Sequence, residues 1–194
     1  AWRAIPSALP NTAIISSDIG NHCAIGNAYP TFEEGRKYLA PGLFGPCGYG
    51  LPSIMGAKIG RRDVPVVGFA GDGAFGISMN EMSAIGRKEW PAITMVIFRN
   101  YQWGAEKRNT TLWFDDNFVG TELDQQVSYA GVAKACGVEG VAVLTMDELR
   151  DALTKAVDAQ VNDGVTTFIE VMLNQELGEP FRRDAMKQPV SVAG

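Results

Sequence analysis

Residues 64–70 read VPVVGFA and run directly into Gly71-Asp72-Gly73-Ala74-Phe75-Gly76; residues 92–98 read AITMVIF and run into Arg99-Asn100. Both apolar runs are continuous and rich in β-branched residues, as in strands buried on both faces. Each delivers a polar side chain at its carboxyl end: Asp72 from the first, Asn100 from the second. The hexapeptide is formally G-x-G-x-x-G between a strand and a helix, which admits a dinucleotide fingerprint. Two features weigh against that reading. A dinucleotide site wants an acid for the ribose at the end of the next strand, and here that strand ends Phe98-Arg99-Asn100. Asp72 also stands inside the phosphate turn itself. A bare carboxylate 4 Å from a phosphate charge is repelled by about 1 kcal/mol even in bulk water.

Working outward, residues 13–17 (AIISS) form a third apolar run, ending in Asp18. A Gly- and Pro-rich loop is expected over 21–48 and a helix over 50–60, with Pro52 in the first turn, where a missing N–H costs little. Further helices are expected over 78–88 and 125–136, and a polar loop over 99–123. Leu149, Leu153, Ala156 and Val157 recur at helical spacing within 146–162, followed by Asp163-Gly164 as a stop. Strands over 138–143 and 166–171 complete the series, and the tail from 174 to 194 is polar. This alternation predicts an α/β fold: a parallel sheet with helices on both faces, forming a single domain over residues 1–194. Ligands of such sheets bind outside the carboxyl ends of the strands. The segments after Ser17, Ala70 and Phe98 are therefore the ones that carry chemistry.

Composition narrows the function. The chain has 17 Lys+Arg against 22 Asp+Glu, a formal charge of -5, which disfavours a nucleic-acid groove or an anionic membrane surface as partner. Three cysteines, Cys23, Cys47 and Cys136, cannot all pair and form no C-x-x-C, so no zinc site or disulfide framework is indicated. With no apolar run near 18 residues and no signal-peptide pattern, a cytoplasmic location is expected. The single histidine, His22, argues on supply alone against a Ser-His-Asp hydrolase or a multi-His metal site.

A divalent cation reverses the repulsion at Asp72. Mg²⁺ accepts carboxylate, amide and backbone carbonyl oxygens together with phosphate oxygens. Asp72 and Asn100 end adjacent strand–helix units and can converge on one ion, while Gly71, Gly73 and Ala74 let backbone N–H groups approach a diphosphate. Gly-Asp-Gly, then 26 residues, then Asn, with a strand before each, resembles the diphosphate-binding domain of the acetolactate synthase-like thiamine diphosphate enzymes. The resemblance covers nearly the whole chain. It implies that Asp72, Asn100 and the Gln102 carbonyl hold Mg²⁺, and that Asn21 and His22, in Asp18-Ile19-Gly20-Asn21-His22, touch the diphosphate. In the second glycine loop, Gly45-Pro46-Cys47-Gly48-Tyr49-Gly50, it implies that the Gly45 carbonyl and the Cys47 N–H meet the aminopyrimidine. Cys47 departs from the family, which usually places a bulky apolar residue there to hold the cofactor bent.

Three stretches, beginning at Gln102, Phe118 and Glu176, resemble the branch that converts sulfoacetaldehyde and phosphate to acetyl phosphate and sulfite. Lys107, Arg108, Arg182, Arg183 and Lys187 supply cations for such anions, and Arg182 and Arg183 are the candidate substrate residues. The family's activating glutamate belongs to a separate pyrimidine-binding domain, which nothing in this chain resembles. The resemblance therefore implies a fragment of a longer chain or a subunit of a split enzyme, inactive without that domain and assembled as a homodimer or homotetramer. A split sulfopyruvate or phosphonopyruvate decarboxylase and an acetolactate synthase-like enzyme remain alternatives. So do a cofactor-binding module without chemistry of its own and a dehydrogenase.

Overall fold

Six strands, β1 (Ile14–Ser17), β2 (Tyr38–Leu39), β3 (Val66–Gly71), β4 (Thr94–Arg99), β5 (Glu139–Val143) and β6 (Thr167–Met172), pair in parallel in the order β2-β1-β3-β4-β6-β5. The computed structural model describes residues 1–32, 35, 37–87 and 89–176. Side-chain alternation explains the continuous apolar runs. Val66, Ala70, Met95 and Ile97 pack into one core layer, with Leu51, Ile54 and Phe75. Val67, Phe69, Val96 and Phe98 pack into the other, with Leu149, Leu153 and Trp2. β3 and β4 bury both faces, so their polar residues are pushed to the strand ends.

The helices that cover the sheet are α1 (Asn21–Gly26), α2 (Gly50–Gly60), α3 (Asp72–Ser78), α4 (Met82–Ile85), α5 (Gly104–Trp113), α6 (Tyr129–Ala135) and α7 (Met146–Asn162). Helices α2 and α7 fall where the sequence puts them. Helix α7 starts in a capping box in which Thr145 and Glu148 satisfy each other's backbone N–H. Its buried Gln160 accepts from the Val66 N–H at 2.8 Å and donates to Thr94 Oγ1 at 2.8 Å, pinning the helix to two strands.

Three expectations need correction. The 21–48 loop contains α1 and the edge strand β2. The helix expected over 78–88 begins at Asp72, directly off β3, and passes through a 3-10 turn at Met79–Glu81 before α4. Two glycines, Gly73 and Gly76, give that segment poor helix propensity. Tertiary packing holds it: the Phe75 ring is fully buried, 5.2 Å from Tyr129 and 5.9 Å from Phe168. Finally, the 99–123 loop contains α5, which buries none of its residues completely and so shows no apolar stripe to read. No helix among the described residues is long and apolar enough to cross a membrane.

Candidate functional site

The chain runs from β1 to β2 on one side and continues in β3 on the other. The crevice between β1 and β3 is thus the switch point where α/β sheets bind ligands. A cavity of about 810 Å³ opens there, at the carboxyl ends of β1, β3 and β4. Asp72, first residue of α3, is 3% exposed. Its Oδ2 accepts the backbone N–H groups of Tyr101 at 2.6 Å and Asn100 at 3.1 Å, and its Oδ1 accepts that of Gly73 at 3.1 Å. Burial pushes its carboxyl pKa up from 3.8, and those N–H donors pull against the rise.

The Asn100 carboxamide faces two acceptors, Asp72 Oδ1 at 3.3 Å and the Gln102 carbonyl at 3.1 Å. With its nitrogen turned inward the amide donates to both. With its oxygen turned inward, carboxylate, amide and carbonyl oxygens converge on one point, the donor set of a hard cation. The backbone is bent to do this. Tyr101 sits at φ 61°, which a bulky L residue rarely adopts, and such outliers gather at functional sites. Residues 121–123 lock the bend. Trp103 N–H donates to the Thr121 carbonyl at 2.8 Å, and Leu123 N–H to that of Tyr101 at 2.9 Å.

On the β1 side, Asp18 ties two loops together. It accepts from Ile19 N–H at 2.8 Å, from Gly48 N–H at 3.1 Å and from Gly50 N–H at 2.7 Å. Gly50 permits this approach, because a Cβ there would lie 3.1 Å from the Asp18 carboxylate. Burial raises the Asp18 pKa from 3.8, against these same donors. His22 lies against Gly71, and burial drives its pKa from 6.5 down to about 4, partly countered by a hydrogen bond to the Asp18 backbone. Its imidazole is neutral at pH 7. His22 Nε2 and Gln102 Oε1 are buried on this wall without hydrogen-bond partners. Among the described residues no group of three His, Cys, Asp or Glu could hold a metal.

Of the residues the sequence nominates, Asn21, His22, Cys47, Gly71, Asp72, Gly73, Ala74, Asn100 and Gln102 line the cavity. Gly45 does not. It stands at φ 61° behind Ile19, which does line it. Burial, the Asp18 carboxylate and Glu106 raise the Cys47 thiol pKa, leaving it a neutral, half-buried group on the wall. Lys107 is engaged with Glu122 and lies 5.2 Å over the Phe118 ring. Arg182, Arg183 and Lys187 lie outside the described residues. Sequence reasoning missed the bracing role of Asp18, as well as Tyr101, Trp103 and the N-terminus of α5 at Gly104. It also missed Arg99 and Glu170, although a charged residue closing AITMVIF and another inside TTFIEV signal a buried pair.

Comparison with known proteins follows the same line. The family described as thiamine pyrophosphate enzyme, C-terminal TPP binding domain, matches residues 18–171. Over its full length the chain is 77% identical to a sulfoacetaldehyde acetyltransferase of Roseovarius nubinhibens, and it covers 32% of that protein. It is 46% identical, over 97% of its length, to a sulfoacetaldehyde acetyltransferase of Castellaniella defragrans, covering 31% of it. Acetolactate synthase 2, chloroplastic, of Nicotiana tabacum is 30% identical over 76% of the chain, which covers 23% of that protein. The chain thus spans about a third or less of these relatives. Benzoylformate decarboxylase from Polynucleobacter necessarius superposes with a TM-score of 0.78 at 22% identity, over 91% of this chain and 33% of that one, a likeness of fold.

Proposed function

The chain belongs to the thiamine pyrophosphate enzyme family as its C-terminal TPP binding domain, and we propose that it seats thiamine diphosphate in the switch-point cavity through a Mg²⁺ ion. The observation that carries this is the convergence of the Asp72, Asn100 and Gln102 oxygens beside a buried, unpartnered His22 Nε2. These residues leave the remaining positions of a hard ion to phosphate oxygens. Asn21 supplies an amide to the diphosphate, while Gly71, Gly73 and Ala74 keep the wall open to it. His22, neutral in the free site, becomes a better donor once an anion lies against it. The Gly45–Gly50 loop, braced by Asp18, presents the Gly45 carbonyl and the Cys47 N–H to the aminopyrimidine. When bound, the cofactor supplies a stabilised carbanion for carbonyl chemistry.

For the longer protein of which we take this 194-residue domain to be a part, the reading is conversion of sulfoacetaldehyde and phosphate to acetyl phosphate and sulfite. Identity of 77% over the full chain supports it. The pyrimidine-binding domain, from the same or a partner chain, would supply the activating glutamate in a homodimeric or homotetrameric cytoplasmic enzyme. Arg182 and Arg183 are the substrate-anion candidates. The test uses the full-length protein. Calorimetry should show thiamine diphosphate binding only with Mg²⁺, and Asp72→Ala should abolish it. Sulfite release should require both phosphate and sulfoacetaldehyde. Cofactor binding that survives Asp72→Ala refutes the site, and acetolactate formed from pyruvate without sulfite release refutes the substrate.

A further inference from the structure

We propose that Arg99 is a positioning residue that fixes the bend carrying the cation ligands Asn100 and Gln102, acting through a buried junction with Glu170, Tyr101 and Tyr129. The proposal rests on the reading of Asp72, Asn100 and Gln102 as a cation site. Arg99 is the last residue of β4, and its side chain is 5% exposed. It does not reach the cavity wall. It turns back into the protein, donating to Glu170 Oε1 at 2.5 Å and to the Gln125 carbonyl at 2.9 Å. Its guanidinium carbon lies 4.5 Å over the Tyr101 ring and 5.7 Å from that of Tyr129.

Three of these four contacts lead to the ligand set. Tyr101 is the left-handed residue between Asn100 and Gln102, and its N–H holds Asp72 Oδ2. Tyr129 donates its hydroxyl to the Asp72 carbonyl at 3.3 Å. Glu170 also accepts from Ser128 Oγ and from the N–H groups of Tyr129 and Ala130, all within 3.2 Å, and so fixes the first turn of α6 that carries Tyr129. One planar cation therefore joins β4, β6, α6 and the bend. A buried ion pair is a poor source of net stability compared with apolar side chains of similar shape, so the return here is geometric. Lysine could answer the Glu170 charge, but it has no planar fork to stack on Tyr101 while also reaching Gln125. Support behind metal ligands of this kind carries about 10–100-fold in metal affinity.

The test is Mn²⁺ binding to the full-length protein with thiamine diphosphate present, read by electron paramagnetic resonance, alongside the melting temperature. Arg99→Lys should weaken Mn²⁺ binding about tenfold while Tm stays within a few degrees. The paired variant Arg99→Met with Glu170→Gln leaves no unpaired buried charge and keeps an acceptor for α6, so it serves if the lysine variant folds poorly; it should lose Mn²⁺ affinity to at least the same degree. Wild-type affinity in both variants overturns the positioning role and leaves the cation site standing. A wild-type protein that binds no Mn²⁺ with thiamine diphosphate overturns the cation site and the positioning role together.

Discussion

His22 is the only histidine in the chain, so its ring can be followed as a single resonance. Burial drives its pKa from 6.5 to about 4, with the hydrogen bond to the Asp18 backbone pulling the other way. The sign follows from proton counting. Between pH 6.5 and 4 the unfolded chain holds a proton that the native ring refuses, so native stability is unaffected at neutral pH and is lost as pH falls through that window. A depression of this size is worth about 3 kcal/mol by pH 4. Asp18 and Asp72 act oppositely. Burial raises their pKa values above 3.8, so the native state takes up their protons first and gains stability on acidification. The His22 contribution must therefore be isolated as the difference between wild type and His22→Gln. Urea unfolding at pH 7 and pH 4 should show wild type losing about 3 kcal/mol relative to the variant. In ¹³C-histidine-labelled chain the imidazole should titrate near 4, with the amide spectrum reporting that the fold persists. Adding Mg²⁺ and inorganic diphosphate should raise the midpoint, because an adjacent anion favours the imidazolium. A midpoint near 6.5 in the free chain would place the ring in solvent, and one indifferent to diphosphate would remove it from the anion site.

Gly73→Ala should destabilise the chain by about 1–3 kcal/mol, because the new methyl would lie 2.8 Å from the Trp103 ring, which leads into α5; an unchanged urea midpoint would show that the ring yields freely. Asp18→Asn should cost about 1–3 kcal/mol by turning an amide N–H₂ towards backbone donors, and should hasten proteolytic cleavage within residues 40–50; unaltered cleavage would mean that other contacts hold the second glycine loop. In the full-length protein, Arg182→Ala or Arg183→Ala should raise KM about tenfold for sulfoacetaldehyde or for phosphate with cofactor affinity unchanged; KM values unchanged from wild type for both substrates would leave these arginines out of the site.

What the sequence discloses here follows from how far each signal reaches. β3 and β4 are legible because burial on both faces forces unbroken apolar runs, and the same burial expels Asp72 and Asn100 to the strand ends, where they can be found by position alone. α2 and α7 are legible because each carries its own stop and start residues. By contrast, α3 is built from Gly-Asp-Gly and looks like a turn; Phe75, wedged between Tyr129 and Phe168, holds it as helix, and those partners come from distant segments. The bracing of Asn100 is hidden for a related reason. Residues 121–123 reach the bend only after α5 has carried the chain away and back. Arg99 and Glu170 mark the boundary between the two cases. A charge at the end of one buried strand and another inside its neighbour announce a pair, because neither could be buried alone at tolerable cost. The β4–β6 register sets their separation, pairing Ile97 with Glu170 and Arg99 with Met172. That offset lets the guanidinium reach the carboxylate while its face remains free for Tyr101, and nothing local to either strand encodes it.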